Sequence, residues 1–254
     1  ILVATCTADH PFPSTACIVQ GQIGAVNAAC LDIEAACSGL IYGMEMAIGL
    51  LKTKKNYKKI LVIGADKISS IVDWQDRNTC VLFGDGAGAL LLEKTADDEP
   101  LVLASEIGAD GKCSEILTVP AGGSAMPASA ESVEKRMHYI KMVGQEVFKQ
   151  AVPAMVNSCR NVLAEAGITE EQVAWLVPHQ ANYRILSAVA SRLKIPEERV
   201  WMNIDRYSNT SAATIGICLD EMVRTGKVKN GDYVLLTAFG GGLTWGSVLL
   251  RWNM

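Results

Sequence analysis

The chain repeats itself. Cys37-Ser38-Gly39-Leu40 opens a long apolar run that passes through a lysine-rich turn into Ile60-Leu61-Val62-Ile63-Gly64-Ala65. Gly84-Asp85-Gly86-Ala87-Gly88 then leads into Ala89-Leu90-Leu91-Leu92-Glu93. The same order returns from Asn209-Thr210-Ser211-Ala212, through a helix ending near Thr225-Gly226-Lys227, to Tyr233-Val234-Leu235-Leu236-Thr237-Ala238 and the glycines 240–242. The spacing from Cys37 to Ile60 matches that from Asn209 to Tyr233 to within one residue, a register that pairs Cys37 with Asn209. A unit met twice in one chain predicts two similar halves packed about a pseudo-two-fold axis.

The elements read as alternating strands and helices, the pattern of an α/β fold. Strands are expected over 1–6, 60–66, 88–94, 101–108, 174–178, 199–204, 232–239 and 245–252. Helices are expected near 14–26, 37–52, 132–166, 182–194 and 210–225. The stretches 38–51 and 211–223 are apolar nearly all round, which predicts two helices buried as a shared central layer. Asp97-Asp98-Glu99-Pro100 is the expected seam, dividing the chain into halves 1–96 and 97–254, and 110–131 reads as an irregular excursion. The lead-in to the second copy is much longer than that to the first, and the chain opens on Ile1 as if in mid-strand. Equal copies would therefore place roughly 70 further residues ahead of it.

Composition narrows the function. With 50% hydrophobic residues and a net charge of −4, the chain has the apolar content to fold and lacks the positive charge that general nucleic-acid binding requires. No apolar run reaches the length of a membrane helix; the stretch 40–51 is broken by Glu45. The 8 cysteines show no C-x-x-C spacing and no nearby histidine pair, which argues against zinc, and no signal peptide is visible. Reduced thiols in a cytoplasmic protein are the expectation.

Cys37 stands on a sharp Ala-Ala-Cys-Ser-Gly corner opening a buried helix, where backbone N–H groups and the helix dipole are expected to lower its pKa and make it a nucleophile. The residues alone also allow a small packed cysteine. His179 closes the apolar strand Trp175-Leu176-Val177-Pro178, the end of a strand at which ligands collect in α/β sheets. His10, in a proline-rich turn, and His138, on a mixed helical face, are expected at the surface. Asn209 suits a helix cap, or a cavity shared with Cys37 if both helix tips point inward. The triplet Gly240-Gly241-Gly242 is a tight corner at which a backbone N–H can approach a substrate oxygen.

Four segments carry a resemblance: Ala35-Ala36-Cys37-Ser38-Gly39, His179-Gln180-Ala181-Asn182, Ser208-Asn209-Thr210-Ser211-Ala212 and Phe239-Gly240-Gly241-Gly242-Leu243-Thr244-Trp245-Gly246. In this order they resemble the β-ketoacyl-[acyl-carrier-protein] synthase III family of the thiolase superfamily, from end to end of the chain. The resemblance implies a thiolase-like five-layered αβαβα fold with duplicated halves, acting as a cytoplasmic homodimer. It implies condensation of a short acyl-CoA, typically acetyl-CoA, with malonyl-acyl-carrier protein to start type II fatty-acid synthesis, with no cofactor and no metal. Cys37 is then the acylated nucleophile, His179 and Asn209 support decarboxylation and condensation, and the N–H groups of Cys37 and Gly241 form the oxyanion hole. Phe12 falls where the family reaches into the partner's acyl pocket; Arg77, Phe148, Ala181 and Asn182 resemble contacts to CoA; Arg184 matches an arginine that docks the carrier protein. Arg192 and Lys194 add positive charge on or beside the same helix. Two positions depart from the pattern: Ser208 stands where glycine usually precedes the asparagine, and Asn78 where glycine is common. A related condensing enzyme of secondary metabolism, or an inactive partner subunit, are the alternative readings.

Overall fold

The structure is a computed structural model describing residues 1–95 and 101–253, so the expected seam at 97–100 and the division at 96/97 lie outside the described residues. The first half runs β1 (Leu2–Ala4), α1 (Thr15–Gln22), β2 (Leu31–Ile33), α2 (Gly39–Thr53), β3 (Lys59–Asp66) and β4 (Gly86–Glu93). Its sheet has the order β2-β1-β3-β4, with β1 parallel to both neighbours and β4 antiparallel to β3. The crossovers from β1 to β2 and from β2 to β3 run in opposite directions along the sheet. With one handedness, they put α1 and α2 on opposite faces.

The second half runs β5 (Val102–Ala109), β6 (Leu117–Thr118), α3 (Ala130–Glu134), β7 (Lys141–Met142), α4 (Gly144–Ala166), β8 (Val173–Pro178), α5 (Tyr183–Leu193), α6 (Ile204–Tyr207), α7 (Thr214–Arg224), β9 (Tyr233–Gly240) and β10 (Thr244–Arg251). Its main sheet has the order β5-β10-β9-β8, with β8 and β9 parallel. The strand expected over 199–204 is reduced to a single bridge, Val200 to Leu176. A 3-10 turn at Glu197–Arg199 and the start of α6 leave it no room to extend.

Helices α2 and α7 lie between the two sheets, as their all-round apolar character requires. Leu40, Ile41 and Met44 meet Ile215, Leu219 and Met222 there, with Val62 from one sheet and Val234, Leu236 and Val248 from the other. The opposite face of the second sheet, through Leu235 and Leu249, packs on α4 and α5. Both faces of β9 are thus buried, which is why its sequence reads as an unbroken apolar run. The result is the expected αβαβα layering. Among the described residues no helix is long and apolar enough to cross a membrane.

The two halves meet crosswise. Short 3-10 turns, Ala36–Ser38 and Ser211–Ala213, precede α2 and α7, and each begins on a residue with positive φ: Ala36 at 44° and Ser211 at 53°. Each turn leans on the other half's sheet: a Cβ at Gly240 would lie 2.7 Å from the Cys37 nitrogen, and one at Gly64 2.3 Å from the Ala212 oxygen. The register is therefore three residues from the one expected. Cys37 corresponds to Ala212, and Asn209 to Glu34, whose side chains accept from Ser211 N–H at 2.9 Å and Ala36 N–H at 3.1 Å respectively. The helix expected over 132–166 is also interrupted. Arg136 takes a positive φ of 54° to end α3, its Nε donates to Asp73 at 2.9 Å, and Ile140 N–H donates to Ile71 oxygen at 2.8 Å.

Candidate active site

Cys37, His179 and Asn209 line one cavity at the junction of the halves, walled by Leu82, Phe83, Leu117, Met142 and Phe239. It adjoins a wider mouth bordered by Asp76, Asn78, Phe148, Lys149, Asn182 and Arg184.

Cys37 is the middle residue of its 3-10 turn and is partly buried. Because Gly240 carries no side chain, nothing from that strand covers the Cys37 N–H. The equivalent strand of the first half, β3, ends instead on Asp66, whose carboxylate accepts from Ala212 N–H of the second half's turn at 3.4 Å, from Cys6 N–H at 2.8 Å and from the Thr5 and Thr7 hydroxyls at 3.1 Å. One tip is left open while its counterpart is filled from within. The expected lowering of the Cys37 pKa is not what the surroundings produce. Burial pushes the thiol up to about 12, the Ser211 hydroxyl pulls the other way, and the carboxylates of Asp66 and Glu34 add to the rise. Desolvation outweighs the pull of the helix tip, although the turn runs directly into α2.

His179 follows β8, its N–H donating to Thr237 oxygen at 2.7 Å. The ring is 1% exposed, and burial holds its pKa down at about 3, so it is neutral at pH 7. Nδ1 lies 2.7 Å from the Thr214 hydroxyl, leaving Nε2 for the cavity. Asn209 is pinned by its backbone: its N–H donates to Leu82 oxygen at 2.9 Å and its oxygen accepts from Gly84 N–H at 3.0 Å. With Oδ1 taken by Ser211 N–H, the amide Nδ2 is the group left to a cavity occupant. Asn209 thus serves as a local cap and as a cavity donor at once.

The remaining residues distribute as follows. Ala181 and Asn182 line the cavity, and Asn182 also caps α5 by accepting from Ile185 N–H at 3.0 Å. Gly241 sits beside the turn that carries Cys37, where a Cβ would lie 3.8 Å from that of Ala36. Phe148 and Arg184 border the mouth; Arg77 is exposed between two mouth residues without lining it. Arg192 and Lys194 are exposed at the far end of α5. Phe12 is 85% exposed and lies outside the cavity. His10 is exposed, whereas His138 is half-buried, its Nε2 2.9 Å from the Ser132 hydroxyl. Sequence reasoning missed Thr214 and Asp66, and read Gly240 and Ser211 only as parts of a corner and a motif, because their importance lies in contacts with residues distant in the chain.

A thiol beside an open N–H, with two neutral donors facing the same space, suits chemistry in which a thioester is attacked and an enolate oxygen is held. Duplicated halves in five layers around such a cavity define a thiolase-like condensing enzyme. Residues 31–111 match the family described as 3-oxoacyl-[acyl-carrier-protein (ACP)] synthase III, and residues 163–252 match its C-terminal part. The β-ketoacyl-[acyl-carrier-protein] synthase III of Caldanaerobacter subterraneus is 51% identical, covering 100% of this chain and 76% of its own. The crystal structure of the 3-oxoacyl-[acyl-carrier-protein] synthase III from Aquifex aeolicus matches with a TM-score of 0.89 at 48% identity, over 99% of this chain and 76% of that one. The corresponding enzyme from Pseudomonas aeruginosa gives 0.90 at 40% identity, over 100% and 76%. The chain belongs to the β-ketoacyl-[acyl-carrier-protein] synthase III family, and is an acyltransferase.

Proposed function

We propose that this cavity joins a short acyl-CoA, acetyl-CoA by family resemblance, to malonyl-acyl-carrier protein, giving a 3-oxoacyl-acyl-carrier protein, CoA and CO2 at the start of type II fatty-acid synthesis. Cys37 sulfur attacks the acyl-CoA carbonyl carbon, the bond to the CoA sulfur breaks, and the proton lost by Cys37 ends on CoA. The Cys37 and Gly241 N–H groups hold the tetrahedral oxyanion, where each donor lowers the barrier by about 3 kcal/mol. Malonyl thioester then enters and loses CO2. The electron pair released becomes an enolate, whose oxygen accepts from Asn209 Nδ2 and from His179 Nε2–H. The enolate carbon attacks the acyl group and Cys37 sulfur leaves. No cofactor is drawn on, because the departing carboxylate supplies the electron pair.

The observation that carries this reading is the shared orientation of the two donors. His179 Nδ1 and Asn209 Oδ1 are both engaged behind the cavity, which leaves Nε2 and Nδ2 to the substrate. Phe148, Ala181 and Asn182 line the approach for the pantetheine arm, with Arg77 beside the mouth for CoA, and Arg184 at the rim meets the acidic carrier protein. Charge of this kind speeds encounter and is screened by salt. The same reading divides the chain into halves 1–96 and 97–254 and makes the enzyme a homodimer, the exposed Phe12 entering the partner's acyl pocket. It is cytoplasmic, in keeping with eight unpaired cysteines among the described residues. The test is to separate the half-reactions. His179→Ala and Asn209→Ala still take acetyl from acetyl-CoA but release CO2 from malonyl-acyl-carrier protein poorly. Normal condensation by Asn209→Ala would overturn the donor assignment.

A further inference from the structure

We propose that Ser211 is a further catalytic residue, its hydroxyl donating to the Cys37 sulfur whenever that sulfur carries charge. This deepens the reading above and rests on Cys37 being the nucleophile. Four observations converge on it. Ser211 is 1% exposed, and its Oγ has no hydrogen-bond partner among the described residues. A buried hydroxyl left unpaired lowers stability without return, so its partner belongs to a state in which the neighbouring group has changed. That neighbour is the Cys37 thiol: the turn Ser211–Ala213 packs directly against the turn Ala36–Ser38 that carries Cys37, and the Ser211 hydroxyl is the foremost side-chain influence favouring the thiolate.

The backbone of Ser211 is tied to both other members of the site. Its N–H donates to Asn209 Oδ1 at 2.9 Å, and its oxygen lies 3.1 Å from the Thr214 hydroxyl, which itself lies 2.7 Å from His179 Nδ1. The residue that carries the hydroxyl is thus held in place relative to Asn209 and His179. The crosswise repeat supplies the fourth observation. The residue equivalent to Ser211 is Ala36, and the residue equivalent to Cys37 is Ala212, so the half that lacks the nucleophile is the half that offers the hydroxyl.

Sulfur is anionic twice per turnover. It is so when Cys37 gives up its proton to attack acyl-CoA, and again when the enolate carbon bonds to the acyl carbon, the acyl C–S bond breaks and its electron pair returns to Cys37. Ser211 O–H meets the charge both times. After the second, the thiolate takes a proton from solvent. His179 and Asn209 remain free for the enolate oxygen, so one set of donors serves sulfur and another serves oxygen.

The test is the pH profile of Cys37 alkylation by iodoacetamide, with single-turnover acetylation by acetyl-CoA, in the unaltered chain and in Ser211→Ala. Ala36 holds the same positive-φ backbone as an alanine, so the substitution keeps the local fold; Ser211→Gly is the second variant, glycine taking that conformation freely. Expected are a profile displaced to higher pH, alkylation at pH 7 about tenfold slower, and acetylation slowed to match with KM for acetyl-CoA unchanged. A merely structural role would leave the profile in place. Superimposable profiles for both variants and the unaltered chain overturn the proposal while leaving Cys37 as nucleophile. If the unaltered chain acquires no acetyl group on Cys37, the reading of Cys37 and the proposal fall together.

Discussion

The hydroxyl of Thr214 lies 2.7 Å from Nδ1 of His179, and this contact governs what the ring presents to the cavity. Thr214 has one hydroxyl proton and two acceptors, Nδ1 and the Ser211 oxygen at 3.1 Å. With the proton directed at Nδ1, a neutral ring carries its own hydrogen on Nε2 and donates it to the enolate. Thr214→Val, nearly equal in volume, removes that control. CO2 release from malonyl-acyl-carrier protein is expected to fall about tenfold, the worth of one net hydrogen bond, with Thr214→Ser close to the unaltered chain. Equal losses in both variants would show that packing, rather than the hydroxyl, matters.

Acid should destabilise the protein through His179. The unfolded side chain titrates near 6.5, while burial holds the folded one at about 3. Between those values the unfolded chain binds a proton that the folded chain refuses. The contribution is therefore complete above about pH 6.5 and is lost as pH falls toward 3, at about 1.4 kcal/mol per unit. Thermal midpoints recorded across this interval test it: His179→Gln is expected to show a shallower decline, and an identical slope would refute the assignment.

Ser208 adopts φ 61° and ψ −165°, a region that glycine occupies at little cost and other residues rarely visit. Glycine is also the residue expected there from the family pattern. Ser208→Gly should raise stability by about 1 kcal/mol and the thermal midpoint by about 2–4 °C. A lower midpoint would mean that the serine side chain contributes more than its backbone costs.

Gly240 is required for a different reason. A Cβ there would stand 2.7 Å from the Cys37 nitrogen and cover the N–H assigned to the oxyanion. Gly240→Ala is expected to slow acetyl transfer at least about a hundredfold. Retention of the rate, measured by release of CoA from acetyl-CoA, would remove that N–H from the mechanism.

The parts of this architecture written in local pattern were legible in the sequence. The all-round apolar stretches that become α2 and α7, the strand ending at His179 and the corner bearing Cys37 all follow from periodicity and small-residue runs. What depended on distant partners was not. The interruption after α3 is fixed by Arg136 meeting Asp73, far back in the chain. The repeat register slipped by three because positive φ at Ala36 and Ser211 sets it, and neither position carries the glycine that would have marked it. The raised pKa of the thiol was not legible, because burial, invisible in a motif, outweighs the pull of the helix tip. Thr214 and Ser211 gave no signal because small polar residues in a buried helix tip look like packing until their partners are seen.

The role of Cys37 is tested most directly by peptide mass spectrometry after mixing the protein with acetyl-CoA and then adding malonyl-acyl-carrier protein. A single acetyl adduct on Cys37 is expected, forming in the first step and disappearing in the second as 3-oxobutanoyl-acyl-carrier protein appears. An acetyl group on another cysteine, or product formed by Cys37→Ala, would contradict it.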